Sequence, residues 1–572
     1  MQKRHELPAA RTPVLIIGGG TAGLTLAGEL GQRGVACLLI ESREATNTHP
    51  RASSLGPRSM EHFRRWGIAE RMIERGVPLD FSLDVVFTTR LCEHEIRRLT
   101  FPTTGEALES SRTEPLIPEL EWSPYFKVQA AQSVVEPTLR EFAESFPHVD
   151  IRFGWRLEGF EIVDDGVQAV IVRNQDSQRM HVRARFLVGC DGARSTVRSS
   201  LGLQYEGRGV LARNQGIYFK SAAFEETYGR RQGRLLWTLA PDTRGVFIAI
   251  DGRGGWTYNR YFAEENERLD ASAVCRAMGR DFPLEVISVQ AWTGYQLVAE
   301  RYRHGPVFFA GDAAHLFHPT GGFGMNTAIG DGVDLGWKLA AVIQGWGGEA
   351  LLDSYESERR PVGVLNTVEA SGNFDRLVSG LMQLPEAIER DDAEGKRLRQ
   401  QASDSLDAQV RTWTASGRHL GYAYDDSPII ISDGSPAEVA DARFYQPDAR
   451  PGARAPHLWL EDGTSTLDLF DGRFVLLDLG NSGSGATALA DAAREAGMPL
   501  RLVPLADSRV REAYQASLVL VRPDGHVAWR GESLSMDPAE MIDQVRGAGA
   551  RLFAGHASNA SLRSGCTEPG VP

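Results

Sequence analysis

A glycine-rich segment between two apolar strands near the start of the chain constrains the fold more than any other feature. Residues 14–17 are a compact apolar run, residues 18–23 read G-G-G-T-A-G, residues 24–33 have the pattern of a helix, and residues 35–40 are a second apolar run. This order is a βαβ unit, and a G-x-G-x-x-G turn between its first strand and its helix is typical of dinucleotide binding. The segment therefore predicts a Rossmann-like domain of the α/β class.

Each glycine of this turn has its own physical task. Gly18 allows the tight turn, Gly20 lets the backbone approach a pyrophosphate, and Gly23 allows the helix to pack closely on the strand. The helix start offers free N–H groups to the phosphates, and Glu41 at the end of the second strand can accept hydrogen bonds from ribose hydroxyls. The cofactor-binding residues predicted here are Gly18, Gly20, Thr21, Ala22, Gly23 and Glu41.

The composition argues against several classes of protein. The 62 Lys and Arg residues against 75 Asp and Glu residues give a net charge of −13, which disfavours nucleic acid and anionic membrane surfaces as partners. No run approaches the roughly 18 apolar residues of a membrane span, and the first residues lack the apolar core of a secretion signal. The 5 cysteines show no C-x-x-C pair and no metal-ligand spacing. We therefore expect no disulfide framework, no bound metal, and a reducing cytoplasmic location.

A second glycine-rich turn lies in the middle of the chain. Residues 305–310 predict a buried strand that ends in Gly311-Asp312, and residues 318–326 read H-P-T-G-G-F-G-M-N before a long helix. The start of this helix is uncharged, so its free backbone N–H groups suit a phosphate, a carbonyl oxygen or a delocalised anion. His315 and His318 have no third ligand nearby in the sequence, and we expect a loop-packing role for them.

The remaining segments predict a second sheet and a separate C-terminal domain. Residues 210–297 are rich in strand patterns and predict a large, mostly antiparallel sheet, whereas residues 43–140 show no second βαβ pattern. Residues 421–456 are rich in Pro, Asp and Ser and predict a linker, residues 457–553 alternate between strands and helices, and residues 554–572 predict a disordered tail. The C-terminal domain has no C-x-x-C, which excludes thiol–disulfide chemistry there and leaves a packing or subunit-contact role.

Three motifs in this order resemble those of the single-component, class A flavin-dependent aromatic hydroxylases, the family of para-hydroxybenzoate and phenol hydroxylases. They are the turn from Gly18 to Gly23 with Glu41, the segment Asp191-Gly192-Ala193-Arg194-Ser195 with Arg198, and the segment Gly311-Asp312-Ala313-Ala314-His315 with Pro319, Gly322, Gly324 and Asn326. Residues 451–457, P-G-A-R-A-P-H, and residues 467–470, L-D-L-F, are similar to the thioredoxin-like C-terminal domain of the phenol hydroxylase branch.

Together the resemblance and the chain pattern predict a Rossmann-like FAD-binding domain interleaved with a mostly antiparallel substrate-binding sheet, plus a C-terminal thioredoxin-like domain. The predicted division is a FAD-binding domain of residues 12–80, 128–205 and 298–375, a sheet domain of residues 81–127 and 206–297, a helical segment of residues 376–420, the linker 421–456 and the thioredoxin-like domain 457–553.

The resemblance also implies roles for individual residues. Asp312 would hydrogen-bond the ribityl chain of FAD, Arg51 would approach the pyrophosphate or the isoalloxazine edge, and Gln132, in a Q-x-x-x-E pattern, would touch the cofactor. The helix near Gly324 would stabilise the anionic reduced flavin through its N-terminus. Asp191 would join the cofactor to the nicotinamide donor. The further cofactor residues implied are Pro319, Gly322, Gly324, Met325 and Asn326, and the aromatic candidates for the substrate wall are Trp237, Tyr218 and Trp292.

The activity implied is that of a monooxygenase. NADPH or NADH would reduce FAD, and molecular oxygen would then form a flavin hydroperoxide that hydroxylates an aromatic substrate. The sequence names no catalytic base: members acting on chlorophenols read P-R-A-H where this chain has Pro50-Arg51-Ala52-Ser53. This departure favours a polycyclic or already acidic aromatic substrate, such as a secondary-metabolite intermediate of the kind met in antibiotic biosynthesis.

Other interpretations remain open at the level of the sequence. An epoxidase or a Baeyer-Villiger oxygenase could use the same scaffold, and a non-catalytic flavin-binding protein belongs to a different class. A flavin-dependent halogenase is disfavoured, because its W-x-W-x-I-P signature is absent. The oligomeric state is not determined, and a homo-oligomer is compatible with the C-terminal domain.

Overall fold

The computed structural model describes residues 7–262, 268–381, 383–407, 413–436, 441–480 and 483–549. The predicted tail, residues 554–572, lies outside the described residues. In the described part, the chain forms two eight-stranded sheets, one four-stranded sheet and a two-stranded ribbon. No described helix is long and apolar enough to cross a membrane.

The strands are numbered in chain order. Strands β1 to β22 are Ala10–Ile17, Cys37–Glu41, Ser54–Leu55, Val85–Thr88, Glu95–Leu99, Val128–Gln129, Val149–Phe153, Trp155–Val163, Gly166–Arg173, Arg179–Gly189, Tyr205–Lys220, Leu235–Thr238, Gly245–Ala249, Gly255–Tyr261, Glu285–Ala299, Arg303–His304, Val307–Phe309, His315–Leu316, Phe474–Asp478, Leu500–Pro504, Leu518–Val521 and Val527–Gly531.

The described α-helices are numbered in the same way. Helices α1 to α16 are Thr21–Gln32, Pro57–Arg65, Ala69–Arg75, Thr104–Ser110, Glu119–Trp122, Gln132–Glu144, Thr196–Ser200, Phe224–Tyr228, Ala271–Met278, Phe323–Ile343, Glu349–Gly380, Ala393–Asp407, Ser416–Leu420, Ser484–Glu495, Ser508–Tyr514 and Pro538–Val545. Short 3-10 turns cover Gly311–Ala313, Glu386–Glu389 and Thr466–Leu469.

The first sheet is the predicted Rossmann-like sheet. Its main path runs β16-β17-β10-β1-β2-β7, and β1 pairs in parallel with both β10 and β2. Helix α1 packs on β1 and β2, and helices α6 and α10 pack on α1. Residues 14–17 of β1 and 37–40 of β2 are accordingly buried apolar runs. The carboxyl ends of β1, β10 and β17 therefore lie at one edge of the sheet, where the glycine-rich turns follow.

The second sheet is mostly antiparallel, as the strand-rich pattern predicts. Its order is β18-β15-β11-β14-β13-β12-β4-β5, with β12 and β4 paired in parallel. Strand β18 follows the Asp312 turn and pairs with β15. This pairing joins the second sheet directly to the loop that precedes α10.

The C-terminal sheet runs β20-β19-β21-β22 and has the predicted thioredoxin-like α/β character. Residues 421–436 and 441–456 contain no helix or strand, as expected of a linker, but Tyr424, Ile429 and Tyr445 are buried. The segment is therefore packed against the rest of the protein. The predicted boundary at residue 375 lies inside α11.

Candidate active site

The geometry of the first glycine turn explains its three glycines. Gly18 has φ +112°, and a Cβ there would lie 2.2 Å from the carbonyl oxygen of Cys190. A Cβ on Gly23 would lie 2.0 Å from the carbonyl oxygen of Gly18, because α1 packs directly on the turn. A Cβ on Gly20 would meet only Glu136 Oε1, at 3.6 Å. Two glycines are thus required by the protein's own packing, whereas a Cβ on Gly20 would make only an ordinary contact with Glu136.

The first turn of α1 is free to receive an anion. Its N-cap residue Gly20 provides no side-chain cap, and the turn contains no acidic residue. The hydroxyl of Thr21 is buried without a hydrogen-bond partner, and Ala22 packs against Gly311 of the second turn. An orphaned buried hydroxyl beside uncapped N–H groups fits the pyrophosphate of a dinucleotide.

Glu41 lies beside the same turn and is already engaged by protein groups. Its Oε2 accepts a hydrogen bond from Gly19 N at 2.7 Å, and its Oε1 accepts from Arg43 N at 2.8 Å and Arg43 Nε at 2.9 Å. Burial alone would raise the pKa of Glu41, but the hydrogen bonds from Arg43 and Gly19 lower it. The carboxylate is therefore charged and fixed. The sequence analysis missed Arg43, which lies only two residues beyond Glu41.

Gln132 is placed at the start of α6, next to the glycine turn. Its Nε2 donates to Glu136 Oε1 at 2.7 Å, and its backbone N donates to Ala52 O at 2.7 Å. Glu136 is the group that Gly20 faces, and burial raises the pKa of its carboxyl. The Q-x-x-x-E pattern thus brings two polar side chains to the cleft through one helical turn.

Asp312 lies in the 3-10 turn Gly311–Ala313, which follows strand β17. Its side chain keeps solvent-accessible surface, yet the surrounding protein raises the pKa of its carboxyl, with smaller opposing effects from His315 and Arg51. Arg51 is exposed.

Two residues hold the Asp312 turn from behind. Arg198 donates to Ala313 O at 3.0 Å and to the Tyr205 hydroxyl at 2.6 Å, and that hydroxyl donates to Asp312 O at 2.6 Å. Arg198 is 8% exposed, so it is a buried residue that supports the turn and not a surface ion-pair residue. The sequence analysis missed Tyr205, because nothing in its local pattern indicates a contact 107 residues away.

The start of α10 is built from glycines and is uncapped. Gly321 and Gly322 have φ +95° and +71°, and the first helical turn has no side-chain cap and no acidic residue. The Asn326 side chain serves the scaffold: its Nδ2 donates to Ser54 O at 3.0 Å and its Oδ1 accepts from Gly56 N at 2.7 Å. Pro319 is exposed, Gly324 is half-buried and Met325 is buried.

Asp191 sits at the end of β10, close to the same edge of the sheet. Its Oδ2 accepts from Thr196 N at 2.6 Å and Val197 N at 3.2 Å, while Oδ1 is buried without a partner. Burial raises the pKa of this carboxyl. Arg194, predicted from the same motif, is exposed.

The two histidines have different surroundings. His315 Nε2 lies 2.6 Å from Asp331 Oδ2, and Arg359 Nε donates to Asp331 Oδ1 at 2.9 Å, all three side chains being buried. His318 packs on the ring of Phe374 at 4.0 Å, and burial lowers its pKa to about 3. In the described part of the chain, neither belongs to a group of side chains with metal-ligand geometry.

The aromatic candidates on the second sheet separate into two places. Trp237 stacks on Phe87 at 6.1 Å and on Tyr261 at 5.6 Å, and Trp292 contacts Tyr261 edge-on at 6.0 Å. Tyr218 lies apart from this cluster and meets His49 edge-on at 6.4 Å. The indole nitrogen of Trp237 is buried without a hydrogen-bond partner. Two of the three candidates therefore share one aromatic cluster.

The protein thus carries two uncapped helix N-termini beside a parallel sheet, an exposed carboxylate in the turn before the second helix, and an aromatic sheet alongside. This arrangement is suited to a dinucleotide cofactor. Residues 11–370 match the family model described as FAD binding domain, and residues 448–554 match that of the aromatic-ring hydroxylase C-terminal domain. The chain thus belongs to the FAD-dependent aromatic-ring hydroxylases and is an FAD-dependent monooxygenase, which confirms the resemblance stated from the motifs.

Curated relatives and solved structures agree with this assignment. The FAD-dependent monooxygenase apdD of Emericella nidulans is 34% identical over 565 residues, covering 92% of this chain and 89% of the relative. The tetracenomycin B2 monooxygenase-dioxygenase of Streptomyces olivaceus is 34% identical over 576 residues, covering 95% and 98%.

Among solved structures, RebC-10x in native and K252c-bound forms superposes with a TM-score of 0.86 and 37% identity, over 94% of this chain and 100% of that one. A ternary complex of aklavinone-11 hydroxylase with FAD and aklavinone has a TM-score of 0.79 and 28% identity, over 94% and 99%.

Proposed function

We propose that this monooxygenase uses NADPH or NADH and molecular oxygen to hydroxylate a polycyclic phenolic substrate of secondary metabolism. Bound FAD supplies the electron transfer and the activation of oxygen. The protein supplies binding, orientation and protection from water, and the groups described above are suited to these tasks.

The observation that carries the proposal is the contact between the aromatic cluster and the loop before α10. His318, in that loop, packs on Phe374 at 4.0 Å and lies 5.9 Å from the rings of both Tyr261 and Trp292. An aromatic substrate held by this cluster would therefore lie next to the helix start that suits the flavin ring. This adjacency is what hydroxylation of a ring requires.

We assign the cofactor groups as follows. The first turn of α1 would bind the pyrophosphate and Glu41 the ribose, while Asp312 would hold the ribityl chain, with Arg51 and Gln132 beside it. Backbone N–H groups at the start of α10 would stabilise negative charge on the reduced flavin ring. Asp191 would act between FAD and the nicotinamide donor. The residues at this helix start and in the loop before it are Pro319, Gly322, Gly324, Met325 and Asn326.

The absence of a histidine at residue 53 supports a substrate that ionises easily. Ser53 is part of a backbone contact in which its carbonyl accepts from Ala130 N at 3.0 Å. The names of the relatives point the same way, because one acts on tetracenomycin B2 and the aklavinone-11 hydroxylase structure contains the polycyclic ligand aklavinone.

The test is oxidation of NADPH and NADH by the purified FAD-loaded protein, with a panel of chlorophenols and polycyclic quinols. We expect a substrate-stimulated rate with the polycyclic compounds and a product heavier by one oxygen atom on an aromatic ring. Efficient turnover of chlorophenols would contradict the polycyclic assignment. An epoxide or an ester product would instead identify an epoxidase or a Baeyer-Villiger oxygenase, and bound FAD without turnover of any compound would favour a non-catalytic flavoprotein.

A further inference from the structure

A buried lysine lies at the junction of the two large domains. Lys127 directly precedes β6, is 5% exposed, and donates to the carbonyl oxygen of Trp413 at 2.6 Å. Burial, together with the nearby charge of Arg234, lowers its pKa to about 7, and Glu119 opposes this only in part. Within the described residues, Lys127 forms no ion pair with a carboxylate.

A buried arginine accompanies it. Arg234 directly precedes β12 and is 7% exposed. Its Nη1 donates a hydrogen bond to Ser54 Oγ at 3.3 Å. Its Nε is buried without a partner, and burial lowers its pKa to about 10. Among the described side chains, no carboxylate pairs with it either.

Further unsatisfied donors surround these two cations. The charges of Lys127 and Arg234 both act on buried His419, whose Nε2 has no partner. The indole nitrogens of Trp237 and Trp413 are also buried and unpartnered, and the two rings lie 6.2 Å apart. Uncompensated buried cations and donors are costly to a folded protein unless something else provides the acceptors.

The cations are connected to the flavin end of the site. Ser54, which accepts from Arg234, also accepts at its carbonyl oxygen from Asn326 in the first turn of α10. His419 packs on Phe323, the first residue of α10, at 5.4 Å. A ligand held by Lys127 and Arg234 would therefore lie between the aromatic cluster and the start of α10.

From this arrangement we propose that Lys127 and Arg234 form a subsite for a negatively charged oxygen on the aromatic substrate. The inference rests on the proposed function, since it names a property of the substrate of that site. The oxygen belongs either to a carboxylate or to a phenolate of the ring system. Two cations that have no counter-ion among the described side chains complement one such anion, whereas a neutral substrate would leave both unpaired.

The test measures binding to the FAD-loaded full chain without nicotinamide, by the change in the flavin absorption spectrum. One probe pair is anthraquinone-2-carboxylate and its neutral carboxamide, and the other is alizarin and its dimethyl ether. The visible band of alizarin also reports whether the bound phenol is ionised. Because no turnover is needed, failure of the hydroxylation assay would leave this test unaffected.

We expect wild type to bind the anionic member of at least one pair tighter than the neutral member by about tenfold or more, as for a charge-assisted hydrogen bond. Lys127→Met and Arg234→Met should abolish that preference and leave the affinity for the neutral member unchanged. Arg234→Lys, which keeps the charge, should retain most of it. Lys396→Met, at an exposed lysine of α12, is the matched control and should behave as wild type.

Stability gives a second readout that separates binding from folding. Because Lys127→Met removes an unpaired buried charge, the ligand-free variant should be at least as stable as wild type in thermal unfolding. A large loss of stability, or an equal loss of affinity for anionic and neutral probes, would mean that the lysine is structural and would overturn the proposal. Equal binding of both members of both pairs by wild type would overturn it as well.

Discussion

Arg454, at the end of the linker and inside the 448–554 match to the aromatic-ring hydroxylase C-terminal domain, forms a two-point ion pair with Glu61 of α2. Its Nη2 donates to Oε1 at 2.6 Å and its Nε donates to Oε2 at 2.9 Å, across 393 residues of sequence. The two side chains are 1% and 3% exposed. Arg58 also donates to Glu61, at 3.0 Å, so one buried carboxylate serves two guanidinium groups. This buried ion pair attaches the segment that leads into the C-terminal domain to α2 of the FAD-binding domain.

Removing the Glu61 carboxylate should weaken the attachment of the Arg454 segment to α2. Glu61→Gln leaves two buried guanidinium groups without a counter-ion, and we expect a loss of about 3–5 kcal/mol in the free energy of unfolding. Chemical denaturation should show it, and limited proteolysis should cut within residues 421–456 more rapidly. Asp165→Asn removes an exposed partner of Arg183 and is the control, with an expected change of at most about 0.5 kcal/mol. Equal effects of the two substitutions would contradict this attachment.

The same carboxylate predicts a dependence of stability on pH. Burial opposes ionisation, but Arg454 and Arg58 lower the pKa of Glu61 from 4.5 to about 2. Its stabilisation is therefore complete above pH 4.5 and is lost as the pH falls towards 2. The melting temperature, measured across this pH interval, should decline less steeply for the double variant Glu61→Met/Arg454→Met than for wild type. Parallel declines would show that other carboxylates control the acid transition.

The glycine turn offers a pair of substitutions with opposite expectations. The methyl group of Gly20→Ala would make only an ordinary contact with Glu136, so the apoprotein should unfold as wild type does. Its affinity for FAD should fall by about tenfold, or 1.4 kcal/mol. Gly23→Ala places its Cβ 2.0 Å from a backbone oxygen and should destabilise the apoprotein itself. FAD titration and thermal unfolding separate the two, and Gly159→Ala, with nothing within 4 Å, is the neutral control. Normal FAD binding by Gly20→Ala would exclude close approach of the cofactor there.

The contact of Arg198 with the Asp312 turn can be tested by substitution. Arg198→Met leaves the carbonyl of Ala313 and the hydroxyl of Tyr205 without their donor, at a cost of about 1–3 kcal/mol. We expect weaker FAD binding in fluorescence titrations and a lower melting temperature. Arg208→Gln, on the same strand as Tyr205 but half-exposed, is the matched control. An Arg198→Met protein that melts earlier but binds FAD normally would restrict the residue to a folding role.

Three buried carboxylates near the C-terminal domain resemble a metal site but should not behave as one. Asp334, Glu358 and Asp524 converge, yet Lys338 Nζ lies 2.7 Å from Asp334 and 2.6 Å from Glu358, and Arg522 pairs with all three carboxylates. Burial and neighbouring Glu358 raise the pKa of Asp334 well above its usual range, and Lys338 and Arg522 already occupy the positions that a metal ion would take. Chelators and added Mg²⁺ should leave the melting temperature unchanged. A shift with either would contradict this assignment.

Sequence alone determined what depends on local spacing. The G-x-G-x-x-G spacing predicted a tight turn at Gly18 and close packing of the helix at Gly23, because the steric need for glycine arises within one βαβ unit. Alternating apolar patterns predicted the strands of the second sheet, and the uncharged run before Phe323 predicted an uncapped helix start. These features are encoded by neighbours in the chain.

Only the tertiary structure decided which distant polar groups meet. Nothing in the local pattern indicates that Arg454 pairs with Glu61, that Tyr205 supports Asp312, or that Lys127 and Arg234 share a buried junction without an anion. In the sequence, a charged residue is the same letter whether its side chain is solvated, ion-paired or buried without a counter-ion. The difference is set by burial and by the partner's position, which arise only when separate segments fold together.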